Sequence, residues 1–150
     1  CLSSAASDVY KRQGGKFIIK GILEPEDAVK ALDVGADAII VSNHGGRQLD
    51  QTSSTISMLP KIVEAVKGKS AIWLDGGIRS GQDILKAVAL GADNTLIGRA
   101  MSYGLAANGI SGCEKTLNIL HTELDMTMAL CGHKNLKEVD DSILKIESVF

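Results

Sequence analysis

The chain has 150 residues, of which 45% are hydrophobic, 3% aromatic and 23% charged, and its formal net charge is −2. That is long enough for one domain with a sizeable core, and too balanced in sign for the basic stripe of a nucleic-acid-binding protein. No apolar run approaches the roughly 18 residues of a membrane span, and Cys1, Cys113 and Cys131 are scattered without a CxxC pair, as reduced cytosolic thiols are.

Residues 1–13 show no period leading into a core and no apolar stretch of a signal peptide. The segment SSAASDVYKRQ resembles translated cloning linker, so residues 1–13 are expected to be a non-native leader ahead of a fragment, 14–150. From Lys16 the pattern is regular. A strand Phe17-Ile18-Ile19-Lys20 ends at Gly21, and Glu24-Pro25-Glu26-Asp27 starts a helix that runs to Gly35, with acids and a proline in its first turn. The strand Ala38 to Val41 is apolar throughout, as a parallel strand buried on both faces must be. A helix over Ile56 to Lys67, a strand Ala71 to Leu74, a helix Gln82 to Leu90 and a strand Asn94 to Ile97 follow. A last helix is expected from about Gly112 to Leu130, packed on the outside through Leu117, Leu120, Leu124 and Met128. Gly132 fits its C-cap, 135–139 a short turn, and His121 and His133 solvated or capping roles.

DAVKALDVGAD (Asp27 to Asp37) recurs as DILKAVALGAD (Asp83 to Asp93), each copy between a loop and an apolar strand. Repeated strand–helix units joined by short turns imply a right-handed, all-parallel arrangement. An open doubly wound sheet and an eightfold barrel both satisfy that pattern.

Each strand delivers polar chemistry at its C-terminal end: Lys20; then Ser42 and His44; then Asp75 and Arg79; then Gly98 and Arg99. Sites in parallel α/β folds gather at that edge. In Ser42-Asn43-His44-Gly45-Gly46-Arg47 a possible proton acceptor precedes a cation by three residues, and two glycines allow a tight turn and close approach of a ligand. Asp75-Gly76-Gly77-Ile78-Arg79 and Gly98-Arg99 each bring N–H groups and a cation to the start of a helix, a pattern suited to phosphate. Lys20 alone is compatible with a Schiff-base nucleophile, a charge stabiliser or a snorkelling surface residue.

The motifs IKG, VSNHGGRQLD, LDGGIR and IGR, at these intervals, resemble the C-terminal half of the FMN-dependent 2-hydroxy acid dehydrogenases and oxidases. The resemblance covers Lys16 to Ile146 and is nearest to the bacterial L-lactate dehydrogenases, with glycolate oxidase also similar. It implies four βα units of a TIM (β/α)8 barrel, FMN as cofactor, no metal, and oxidation of an L-2-hydroxy acid, L-lactate first, to the 2-oxo acid. By that resemblance Lys20 meets the flavin ring, Ser42 contacts the flavin, His44 takes the substrate proton, and Arg47 holds the substrate carboxylate. Asp75 meets the ribityl chain, and Gly76, Gly77, Ile78 and Arg79 with Gly98 and Arg99 form the phosphate grip.

A quinone, a cytochrome or oxygen is the implied electron acceptor, and the full-length protein is expected to be a homo-oligomer, cytoplasmic or peripheral on the inner membrane. Two alternatives stand beside this reading: a glycolate-type oxidase using oxygen, and a non-catalytic phosphate-binding half barrel. The remaining half of a barrel of about 250 residues carries the family's active-site tyrosines and the aspartate that pairs with the histidine. The chain alone is therefore expected to be inactive and, with two unpaired sheet edges, prone to aggregate or dimerise.

Overall fold

The computed structural model describes residues 12–145. All but the last two positions of the expected leader lie outside them. Four strands, β1 (Ile18–Ile22), β2 (Ala38–Val41), β3 (Ala71–Asp75) and β4 (Asn94–Leu96), alternate with helices α1 (Pro25–Asp33), α2 (Thr55–Val66), α3 (Gly81–Ala89) and α4 (Arg99–Leu130). The sheet order is β1-β2-β3-β4 and every pairing is parallel. A doubly wound sheet reverses its strand order at a switch point. This one does not, and its sequential order is the arc of a barrel.

Register separates the two faces of the arc. Lys20 pairs with Ile40 and Ile40 with Trp73, so these side chains share the inner face, and Ser42 and Asp75 follow two residues further along it. The alternate residues Ile39, Val41, Ile72 and Leu74 face the helices and pack with Ala28, Leu59, Ile62, Val66 and Ala87. All four residues of β2 are buried, as its unbroken apolar run requires.

The duplicated segment has a structural counterpart. α1 and α3 both end on a left-handed glycine, Gly35 (φ +84°) and Gly91 (φ +99°). Each closes with the paired bonds of a Schellman turn: Gly35 N–H to Leu32 O and Ala36 N–H to Ala31 O, then Gly91 N–H to Val88 O and Ala92 N–H to Ala87 O. The aspartate that follows ties each new strand to the entry of the one before. Asp37 donates its N–H to Phe17 O (2.7 Å) and accepts Phe17 N–H on Oδ2 (2.8 Å). Asp93 does the same with Ile72, at 2.8 and 2.7 Å.

The C-terminal helix differs from expectation. It begins at Arg99 rather than near Gly112 and breaks at Asn108 and Gly109, where φ reaches −155° and +55°. The chain folds back there, and its two arms meet at Gly104 and Gly112. A Cβ on Gly112 would lie 1.8 Å from Gly104 O, and one on Gly104 would lie 2.6 Å from Gly112 O. These two glycines are the contact surface of the turn. Leu120 and Met128 are buried, as the apolar stripe requires, whereas Leu117 is 50% exposed. The second arm docks on the start of α3, where a Cβ on Gly81 would lie 2.0 Å from Leu124 N. Gly132 (φ +78°) follows the C-cap, and Leu136–Glu138 forms the expected short turn.

Candidate active site

The C-terminal ends of the strands open onto one cleft of about 420 Å³, lined by Lys20, His44, Arg47, Asp75, Arg79 and Arg99 among others. Gly76, Gly77, Ile78 and Gly98 also line it. Sequence reasoning therefore named most of what the fold brings together. Gly45, Leu96 and Ser102 line the cleft as well. Of these, Gly45 belongs to the turn expected to admit a ligand, while Ser102, three residues beyond Arg99, was missed although its position one helical turn on could have shown it.

A hydrogen-bonded network centred on the buried Ser42 ties Lys20 of β1 to Asp75 of β3. Lys20 Nζ donates to Asp75 Oδ2 in an ion pair and to Ser42 Oγ at 2.7 Å. Ser42, 1% exposed, donates to Asp75 Oδ2 at 2.6 Å and accepts the His44 N–H at 3.1 Å. Burial pushes the Asp75 carboxyl up. Hydrogen bonds from Lys20 and Ser42, with the charges of Lys20 and His44, outweigh it and hold the group below the usual carboxylate range.

The histidine loop is a run of left-handed backbone: His44 (φ +60°), Gly45 (φ +68°) and Gly46 (φ +70°). Asn43 Oδ1 accepts the Gly46 N–H at 3.2 Å and closes the turn. The two glycines take this conformation freely, whereas His44 does not. The turn delivers both His44 and Arg47 to the cleft.

The two phosphate-suited loops prove unequal. At the start of α3 the N–H groups are already taken: Asp83 Oδ2 accepts from Arg79 N (3.0 Å) and Ser80 N (2.9 Å), Ser80 Oγ accepts from Asp83 N (3.2 Å), and Glu123 Oε2 accepts from Gly81 N (2.8 Å). The Arg79, Ser80, Gly81 and Asp83 amides are thus spent within the fold, whereas those of Gly76, Gly77 and Ile78, which line the cleft, donate to no partner among the described residues. Ile78 borders the cleft but is 6% exposed and packs into the core. The start of α4, by contrast, has Gly98 as N-cap and no side-chain cap. Of the two helix starts at the cleft, only this one lacks a side-chain cap.

Three guanidinium groups, Arg47, Arg79 and Arg99, have no ion-pair partner among the described residues, while Lys20 has Asp75. An excess of unpaired cations around glycine-lined space and an open helix N-terminus fits a phosphate-bearing, carboxylate-binding ligand set. No group of three His, Cys, Asp or Glu that could hold a metal occurs among the described residues.

Residues 4–146 match the protein-family model described as FMN-dependent dehydrogenase. The chain is 47% identical over 132 residues to a peroxisomal (S)-2-hydroxyacid oxidase of Arabidopsis thaliana, covering 88% of this chain and 36% of that protein. It is 50% identical over 133 residues to an L-lactate dehydrogenase of Pectobacterium atrosepticum, covering 88% and 34% respectively. The structure of a mandelate oxidase with (S)-4-hydroxymandelic acid is 43% identical, with a TM-score of 0.84 over 90% of this chain and 38% of that one. The chain spans about a third of the length of these relatives and corresponds to their C-terminal portion.

Proposed function

Because the chain belongs to the FMN-dependent dehydrogenase family, we propose that it supplies the flavin-phosphate and substrate-carboxylate edge of an enzyme that oxidises an L-2-hydroxy acid, L-lactate first, to the 2-oxo acid. The observation that carries this reading is the meeting of His44 and Arg47 with Lys20, Asp75, Arg79 and Arg99 around one cleft. FMN, when bound, supplies the two-electron acceptor for the substrate carbon. Arg47 holds the substrate carboxylate through its planar fork, which presents two parallel N–H donors. The His44 imidazole accepts the proton that leaves the substrate. Lys20 would offer positive charge to the flavin ring, and Asp75 would accept hydrogen bonds from the ribityl chain. Arg79, Arg99, the amides after Gly98 and the Gly76–Gly77 loop would hold the phosphate.

Relatives named as oxidases and as dehydrogenases have nearly the same identity to this chain. Oxidation of glycolate or another 2-hydroxy acid by oxygen is therefore the second reading, with a quinone or cytochrome as acceptor in the first. The same proposal includes a full-length homo-oligomer, cytoplasmic or peripheral on the inner membrane. No helix among the described residues is long and apolar enough to cross a membrane. A non-catalytic phosphate-binding half barrel would use Arg79 and Arg99 but has no use for His44 and Arg47 in the same cleft.

The test is a chimera in which residues 16–146 replace the corresponding third of the Pectobacterium enzyme. Under anaerobic conditions L-lactate should bleach its visible flavin absorbance, and His44→Gln should slow the bleaching by about 10²–10⁴-fold. Bleaching by glycolate or mandelate instead would move the substrate to the second reading. A flavin-loaded chimera that none of these acids bleaches would sink the proposal.

A further inference from the structure

Resting on that reading, we propose that Ser42 is a positioning residue for His44, fixing the backbone of the proton acceptor to the Lys20–Asp75 pair. A serine hydroxyl has one proton to give and two lone pairs to receive. At Ser42 all three are used: it accepts from Lys20 Nζ (2.7 Å) and from His44 N–H (3.1 Å), and donates to Asp75 Oδ2 (2.6 Å). An ammonium and an amide can only donate and a carboxylate can only accept, so the network has a single arrangement of protons.

His44 needs such a tether. Its backbone lies at φ +60°, a conformation disfavoured for a residue with a Cβ, and two more left-handed residues follow it. Its imidazole has no hydrogen-bond partner among the described residues. Within this part of the protein, then, the ring is aimed only through its own backbone. Ser42 holds that backbone from a site 1% exposed, at the end of a strand buried along its whole length. A buried hydroxyl on a rigid strand positions a strained loop residue more sharply than another loop residue could. The tether also makes one unit of two groups with different tasks, the cation Lys20 and the base His44.

The test uses the 150-residue chain with Ser42→Ala, which removes only the hydroxyl, and Ser42→Thr, which keeps it. Nuclear magnetic resonance reads the exchange rate of the His44 amide and the His44 Cα shift, which reports left-handed backbone. In S42A the His44 amide should exchange about tenfold faster and its Cα shift should leave the left-handed range, with the Val41 amide unchanged as the control. S42T should restore both signals, and Ser42→Cys, a weaker acceptor, should fall between. An S42A chain whose His44 amide and Cα signals match the unmodified chain overturns the proposal. FMN titration of the same samples separates the two ideas: an unmodified chain that ignores FMN counts against the flavin reading, while the Ser42–His44 signals are read without any ligand.

Discussion

The two edges of the sheet use the same polar residue types in opposite ways. At the entry edge Asp37 and Asp93 are spent on the fold, each bonded to the amide that begins the preceding strand. The two copies make the same pair of bonds. At the exit edge nothing repeats: Lys20, His44, Asp75 and Arg99 come from four successive strands or the segments just after them, and three arginines there lack ion-pair partners among the described residues. A polar group with its partner inside the fold serves stability, whereas a cluster of unpaired cations waits for a partner from outside. The contrast is sharpest between the paired entry aspartates and the three exit-edge arginines, with the mutually bonded Lys20, Ser42 and Asp75 between them.

The largest expected effect lies at the exit edge. Replacing Arg79 and Arg99 together by Met should weaken FMN binding by at least about 100-fold, since each removes a charge-assisted contact. Unfolding free energy should stay within about 0.5 kcal/mol, as for ordinary surface changes. Arg47→Met in the chimera should raise KM for the hydroxy acid by about 10- to 100-fold, the loss of a bidentate carboxylate contact, with a smaller effect on FMN affinity.

Asp93→Ala should invert the pattern. It leaves the Ile72 amide without its carboxylate, so urea unfolding should show a loss of about 1–3 kcal/mol, while the folded fraction binds FMN unchanged. A D93A chain that lost flavin affinity but no stability would erase the distinction between the edges. The smallest effect is one of pH. Folded Asp75 titrates below its unfolded value of about 3.9, so the folded state holds fewer protons in that window. Its stabilising contribution is full above the unfolded value and is lost as pH falls through the folded one. Asp75→Asn should therefore flatten the fall in stability on acidification below about pH 4, measured by urea unfolding at a series of pH values.

Strands and the first three helices were legible because their signals are local. The apolar run Ala38 to Val41 allowed one assignment, and β2 has those bounds. The cleft was legible because polar residues sat at the end of every such run. What escaped depends on distant contacts. The repeat GAD was visible, but not that its aspartate reaches the entry of the previous strand. The last helix was read from about Gly112, and only folding shows that it begins at Arg99 and that Gly104 and Gly112 let its two arms touch. The loop from Asp75 to Arg79 predicted N–H groups at a helix start, and only the fold shows that Glu123, 42 residues beyond Gly81, accepts the Gly81 amide there.

Titrating FMN into the purified chain, followed by flavin fluorescence and repeated with the R79M/R99M and D93A variants, tests the contrast between the edges most directly. Saturable quenching by the unmodified chain and D93A, lost in R79M/R99M, is the predicted result. Equal quenching in all three, or none with a folded unmodified chain, would contradict it.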